Sequence, residues 1–264
     1  GALKKCNDLL ELRPNFIDVE LLKGKIFIEA KNFSEAEKSF KKVCKISPTC
    51  SEAWEGLGDC LYGSGDAAGA VRKYKAAAKL NPKSLKSFFQ LGSIRMQKGH
   101  YSTALKCLKR AEKIKPDSIE VLHIIGQLYQ SKGGRYYKDA MRYYDKVLII
   151  DPDHSNVLAA KLHLHALTCD WDEIEKLRSK LPSLGTSEGE VMPFSLLALE
   201  DAPARHKIRA ERYCARNFFP GKLSNFVVPS VASKKLKIGY FSGDFHFHPV
   251  SILISAVLQS NSPN

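Results

Sequence analysis

The sequence predicts a mostly α-helical chain: a solenoid of stacked antiparallel helix pairs, then a helical linker, then the first strand–loop–helix of an α/β domain. Three observations carry this reading. Pro14, Pro48, Pro82 and Pro116 are each 34 residues apart, and Pro152 follows after 36. Gly24, Gly58, Gly92 and Gly126 keep the same 34-residue spacing. Ala36, Ala70 and Ala104 repeat it, Ala140 arrives two residues late, and Phe40, Tyr74, Leu108 and Tyr144 form a further column. A fixed period of this length marks a repeat architecture, in which one helix pair cannot bury its own apolar face and must stack on the next.

Taken in order, residues 1–16 read as the second helix of a preceding, truncated unit. Full units follow at 17–50, 51–84, 85–118 and 119–154. In each, the Gly and Ala columns are small because two helices cross closely there. The Pro column stops the second helix, since proline lacks the donor the next turn needs. The two extra residues of the fourth unit fall in Gly133-Gly134-Arg135. Residues 155–182 keep helical patterning without the Gly and Ala columns, so they read as a degenerate cap closing a superhelix over 1–182. A turn-rich stretch, SLGTSEGE, opens a linker with helices over 183–233. There Phe194, Leu197 and Ala198 are expected to share one apolar stripe. Pro203 suits the first turn of the next helix, with Asp201 as its N-cap. Residues 219–233 read as a loop. In 234–264, Leu236, Ile238, Tyr240 and Phe241 make a short strand, Gly243 a sharp turn, and Pro249 opens an apolar helix. Ligands of such strand–loop–helix units lie at the strand's C-terminal end, here the loop Ser242 to His248.

Composition excludes several classes. Of 264 residues, 44% are hydrophobic, enough for a core and against wholesale disorder. No run of about 18 apolar residues occurs, which excludes a transmembrane helix. The seven cysteines are irregularly spaced with no CxxC pair, so no metal site or disulfide framework is signalled. Scattered single cysteines suit a reducing compartment, cytoplasmic or nuclear. The chain opens on Gly1 without an initiator Met or signal-peptide pattern, which reads as a fragment.

A solenoid implies binding, and nothing in 1–182 looks catalytic. The repeat columns resemble the tetratricopeptide repeat (TPR), and that resemblance implies that first-helix positions two, five, nine and twelve face the groove. They are Asp18, Leu21, Lys25 and Ile28; Glu52, Glu55, Asp59 and Tyr62; Lys86, Phe89, Ser93 and Met96; Glu120, His123, Gln127 and Gln130. The surface is mixed, with an acidic patch in the second unit, and its expected partners are proteins or peptides. The second helices carry a different pattern: Lys38, Lys41, Lys45; Arg72, Lys75, Lys79; Lys106, Lys109, Lys113; Arg142, Asp145, Ile149. Spacing i, i+3, i+7 places each set on one helical face. Repetition makes a basic ridge that accounts for most of the net charge of +13. One reading is a solvated convex face; the other is docking to an acidic partner, an anionic membrane or nucleic acid. Nucleic-acid readers interleave aromatics with charge, and the ridge columns hold none, so no specific nucleic acid is expected. Oligomeric state is not encoded.

Chaperone-tail clamps of the TPR type grip a carboxylate with a Lys/Asn set, of which only Lys86 falls in a matching column. Further along, KLKIGYFSGDFHFHPVSILI resembles the opening of the catalytic domain of the O-GlcNAc transferase/SPINDLY family, glycosyltransferase family 41. Gly239, Tyr240, Ser242, Asp244, Phe245, His248 and Pro249 match its pattern. Cys169-Asp170-Trp171 resembles a segment that follows the TPRs there, and Met192-Pro193-Phe194-Ser195 its pre-catalytic helices. The family's asparagine ladder is missing: its positions read Leu22, Lys25, Gly56, Asp59, Gln90, Ser93, Ile124 and Gln127. The resemblance implies a two-lobed GT-B enzyme transferring GlcNAc to Ser/Thr with inversion. UDP-GlcNAc, or GDP-fucose for a SPINDLY-like relative, would be the donor. It makes His248 the candidate general base, an imidazole able to take the acceptor hydroxyl proton, with Ser242, Gly243, Asp244 and Pro249 forming the acceptor-side loop. The family's second histidine is Ile252 here. With no donor-binding lobe in the sequence, the chain alone is expected to be inactive. The alternative is a non-enzymatic TPR scaffold that binds peptide segments of partner proteins.

Overall fold

The computed structural model describes residues 1–187 and 189–217, which lie in one compact unit, Gly1–Phe219. The loop 219–233 and the strand–loop–helix expected over 234–264, with Ser242, Gly243, Asp244, His248 and Pro249, lie outside the described residues. A lone helix, α1 (Ala2–Leu12), precedes four helix pairs: α2 (Ile17–Glu29) and α3 (Phe33–Ile46), α4 (Ser51–Gly63) and α5 (Ala67–Leu80), α6 (Leu85–Gln97) and α7 (Tyr101–Ile114), α8 (Ile119–Lys132) and α9 (Tyr137–Ile150). Then come α10 (Ser155–Leu167), α11 (Trp171–Leu177) and α12 (Pro203–Asn217). No β-strand element occurs among the described residues.

The helix ends follow from the sequence columns. Each second helix stops two residues before its proline, and the intervening residue is extended, with φ/ψ of −134/90° at Ser47, −125/92° at Asn81, −138/92° at Lys115 and −133/90° at Asp151. Proline imposes this by crowding the residue before it out of the helical region. Within the first three pairs the turn repeats as well. Lys31, Gly65 and Gly99 have φ of 56°, 90° and 74°. The next residue's N–H then bonds five residues back: Asn32 to Phe27, Asp66 to Leu61 and His100 to Arg95, each at 2.8 Å. The cap keeps this turn without the glycine. Cys169 holds φ 55° and Asp170 N–H bonds the His165 carbonyl at 2.9 Å.

The crossing of helices depends on absent side chains. A Cβ on Gly24 would lie 2.6 Å from Phe40 Cζ, and one on Gly56 2.5 Å from the same ring. Gly58 faces Tyr74 at 2.7 Å, Gly92 faces Leu108 at 2.5 Å and Gly126 faces Tyr144 at 2.5 Å. The large residues are fully buried with Ala36, Ala70, Ala104 and Ala140. Two aromatic members also have polar ends to satisfy. Tyr74 Oη donates to Asp59 at 2.6 Å and Tyr144 Oη to Gln130 at 2.5 Å.

Beyond Pro182 the structure departs from the expected linker. Leu181, Leu184, Val191 and Leu196 pack with Leu158, Ala159, Leu162 and Ile174 into one core. The stretch therefore caps the solenoid's end. Pro193–Leu196 is a 3-10 helix, in which Leu196 is buried while Phe194 and Leu197 are exposed. Ala198 is exposed too, so the predicted stripe does not form: a tighter helix puts i and i+3 on one line and turns a different residue inward. Asp201 is not the N-cap of α12, because the first helical bond runs from His206 N–H to the Ala202 carbonyl. Arg209 ties this layer down. It is fully buried, its Nε donates to the Leu184 carbonyl at 2.7 Å and Nη2 to the Leu181 carbonyl at 2.6 Å, and Nη1 pairs with Glu200. Burial alone would raise the Glu200 pKa, but hydrogen bonds from Arg205 and Arg209 outweigh it and hold the carboxyl below its usual value. Breaking a buried pair of this kind costs about 3–5 kcal/mol. No helix among the described residues is long and apolar enough to cross a membrane.

Candidate binding surfaces of the solenoid

Successive first helices touch, α2 with α4 and α6 with α8, more closely than successive second helices do. The first helices therefore form the inner face of the stack and the second helices its outer face. On the inner face, Lys25, Glu52, Glu55, Asp59, Ser84 and Lys86 line a depression of about 390 Å³ between α2, α4 and α6.

Its acidic patch is wired into the structure. Glu55 accepts from Ser87 Oγ at 2.8 Å and from Ser84 Oγ. Asp59 holds Tyr74 on one oxygen and Lys86 on the other at 2.5 Å. Sequence position singled out Glu55 and Asp59 as ligand contacts, whereas the structure engages them with Ser84 and Tyr74 inside the second unit and with Ser87 and Lys86 of the third. Ser84 had no place in the sequence reading, although Ser-x-x-Ser before an apolar run carries a capping signal: its Oγ also accepts from Ser87 N–H at 3.0 Å. Lys25 and Glu52 form a looser 3.3 Å pair with both side chains more than half exposed, and are open to a ligand. Leu21 is buried in the core, not in the groove. Tyr62 Oη donates to Gln97 at 2.8 Å, and half-buried Phe89 and Met96 pack on the core beneath the third unit. Further along, half-buried His123 and Gln127 continue the inner face on α8.

His123 stacks edge-to-face on His154 at 5.3 Å and near Tyr144 at 6.2 Å. His154 also caps α10, its Nδ1 accepting from Val157 N–H at 3.3 Å. Desolvation, with the neighbouring His154 as a smaller cause, pushes the His123 pKa down to about 4.

All seven cysteines are free. Burial raises the thiol pKa values of Cys44 and Cys107 and pushes that of Cys60 up to about 12. No group of three metal-ligating side chains occurs among the described residues.

On the outer face, Lys41 and Lys75 are exposed. Lys41 pairs with Glu37 at 2.9 Å, and Lys45, Arg72, Lys75, Lys79, Lys106 and Lys113 pair with no carboxylate among the described residues. Lys109 differs. It is half-buried, bonded to Glu112 at 3.0 Å and to the Tyr143 hydroxyl. Its Nζ lies 4.6 Å from the Tyr143 ring centroid. The ridge therefore does have an aromatic neighbour, which the column pattern hid because Tyr143 lies one residue off the ridge spacing.

This geometry defines a solenoid of stacked helical repeats. Residues 21–84 match the tetratricopeptide repeat family and residues 92–133 match the TPR repeat, so these stretches are tetratricopeptide repeats. No curated protein matches the chain. Among solved structures, MamA is 26% identical with a TM-score of 0.50, the match covering 56% of this chain and 85% of that one. YrrB, described as a TPR protein with an unusual peptide-binding site, is 23% identical with a TM-score of 0.50, over 60% and 81%. A chain of the APC/C hetero-tetramer Cut9–Hcn1 is 19% identical with a TM-score of 0.61, over 80% of this chain and 42% of its own. The last two likenesses concern the fold alone. None of these matches points to the glycosyltransferase family.

The His123 environment generates a pH dependence. The unfolded chain binds a proton near pH 6.5, which the folded site refuses until about pH 4. The unfolded state thus holds more protons in that window. Stability contributed by neutral His123 is complete above pH 6.5 and falls as the pH drops towards 4, by up to about 3 kcal/mol. Urea unfolding of wild type and His123→Gln at pH 7 and pH 4.5 should show a smaller pH loss in the variant; equal losses would contradict the assignment.

Proposed function

We propose that the chain is a TPR scaffold that takes peptide segments of partner proteins along the inner face formed by α2, α4, α6 and α8. The observation that carries this is the depression between α2, α4 and α6, where the exposed Lys25–Glu52 pair adjoins carboxylates already fixed by Lys86 and Ser84. Fixed polar groups recognise a ligand at low ordering cost, because the entropy of holding them is already met in the free protein. The test is a peptide array probed with wild type and with the exchange variant Lys25→Glu/Glu52→Lys. The exchange keeps net charge and the ion pair but reverses its polarity. Peptides selected on the wild type should lose about tenfold or more in affinity, some 1.4 kcal/mol, with melting unchanged. Unaltered affinities would place recognition elsewhere.

A second reading rests on the segment Gly239–Pro249 and its likeness to family 41. In it, the natural protein transfers GlcNAc from UDP-GlcNAc, or fucose from GDP-fucose, to Ser/Thr, with the inner face selecting acceptors and His248 as base. Transfer from either labelled donor to a bound acceptor peptide by the natural protein, lost in His248→Ala, would support it. No transfer from either donor would reject it and leave the scaffold reading intact.

A further inference from the structure

The fourth helix pair breaks the 34-residue period at its turn. Gly133 has φ 72° and Gly134 φ 42°, a left-handed path open to glycine, and a 3-10 helix, Gly134–Tyr136, follows. The longer turn carries Tyr136 onto Tyr129, with ring centroids 6.3 Å apart and planes 29° off parallel. Tyr129 in turn stacks on Tyr143 at 5.7 Å and 27°. Three tyrosines, seven residues apart in sequence, thus form one continuous stack. Its root, Tyr143, is buried; Tyr129 and Tyr136 are half exposed.

Cations surround the stack. Lys132 Nζ sits 3.8 Å from the Tyr136 centroid and Arg135 at 4.9 Å, with Arg135 Nη2 donating to the Tyr136 hydroxyl at 3.0 Å. Lys109 and Lys146 each lie 4.6 Å from the Tyr143 centroid. Glu112 bridges those two lysines at the root, at 3.0 and 2.9 Å. Among the described residues the exposed tip has no such carboxylate: Asp139 in the next helical turn pairs with Arg142 at 3.7 Å. On α7, Lys106 and Lys113 flank Lys109, both exposed and without a carboxylate partner among the described residues.

We propose that this tyrosine stack, with the α7 lysines beside it, binds single-stranded nucleic acid without sequence preference. Aromatic faces interleaved with cations that can follow a phosphate backbone are what such binding requires, since every base offers a face to stack. An acidic protein segment would be served by the cations alone and would leave the ring stack without a role. The α7 lysines lie on the outer face and Tyr136 in the turn between α8 and α9, and none of them lines the depression between α2, α4 and α6, so an oligonucleotide there leaves that depression free.

The probe is a labelled oligo-dT of roughly 15 nucleotides, within the span of non-specific single-strand sites. Its anisotropy is read with the 264-residue protein at about 50 and 200 mM salt. Binding should occur at low salt and weaken steeply at high salt. Tyr136→Ala should weaken it roughly 5–100-fold, while Tyr136→Phe, which keeps the face, should bind like wild type. Lys106→Glu/Lys113→Glu should weaken binding and flatten the salt dependence, and carries the test if Tyr136→Ala does not fold. Three results would overturn the proposal: no binding at low salt; binding indifferent to Tyr136→Ala and displaced by heparin, which is net charge alone; or poly-glutamate binding with the same dependence on Tyr136, which is an acidic protein site.

Discussion

One steric constraint runs through the solenoid: a large side chain on each second helix occupies the space that a glycine on a first helix leaves open. Phe40 is held between Gly24 and Gly56, and Tyr74, Leu108 and Tyr144 meet Gly58, Gly92 and Gly126. A methyl group at any of these glycines would sit 2.5–2.7 Å from a packed carbon, well inside the 3.5–4.0 Å separation at which carbon atoms attract. The close approach fixes where each first helix lies relative to its partner, and hence which residues are presented on the inner face. The presentation of the inner face and the packing of the core are therefore set by the same contacts.

The repeat region was legible because its constraints recur in sequence. Proline ends a helix by its own chemistry, and a glycine column in register with an aromatic column reports a crossing without any structure. What could not be read was anything that does not repeat. Leu196 turns inward where Phe194 and Leu197 were expected, since a 3-10 turn and an α-helix share composition but not period. Arg209 looked like one more cation on a basic helix, yet it is the most buried charged side chain of the capping layer, because the Leu181 and Leu184 carbonyls happen to lie within its reach. Glu55 and Asp59 both line the depression between α2, α4 and α6, but sequence reached them as isolated positions. It could not show that Ser84, Tyr74 and Lys86, from neighbouring elements, already occupy them.

The two faces differ in how their charges are used. Inner-face carboxylates are tied to neighbouring repeats, so they stiffen the stack and offer a ligand a fixed pattern of polar groups. Outer-face cations of α5 and α7 are mostly unpaired among the described residues. They project a field that salt screens over about 8 Å at physiological ionic strength. The irregular fourth turn adds aromatic surface to that field at one place only, and the two-residue insertion that marks it in sequence is what brings Tyr136 within stacking distance of Tyr129.

The crossing constraint is tested most directly by a double-mutant cycle between Gly24 and Phe40, followed by urea unfolding. In an unobstructed helix, glycine to alanine gains about 0.5–1 kcal/mol. Here Gly24→Ala should instead cost about 1–3 kcal/mol, as overpacking does. In a Phe40→Leu background, where the ring is gone, that cost should shrink markedly or reverse. Equal effects of Gly24→Ala in both backgrounds would show that the ring and the glycine do not constrain each other, and would contradict the account.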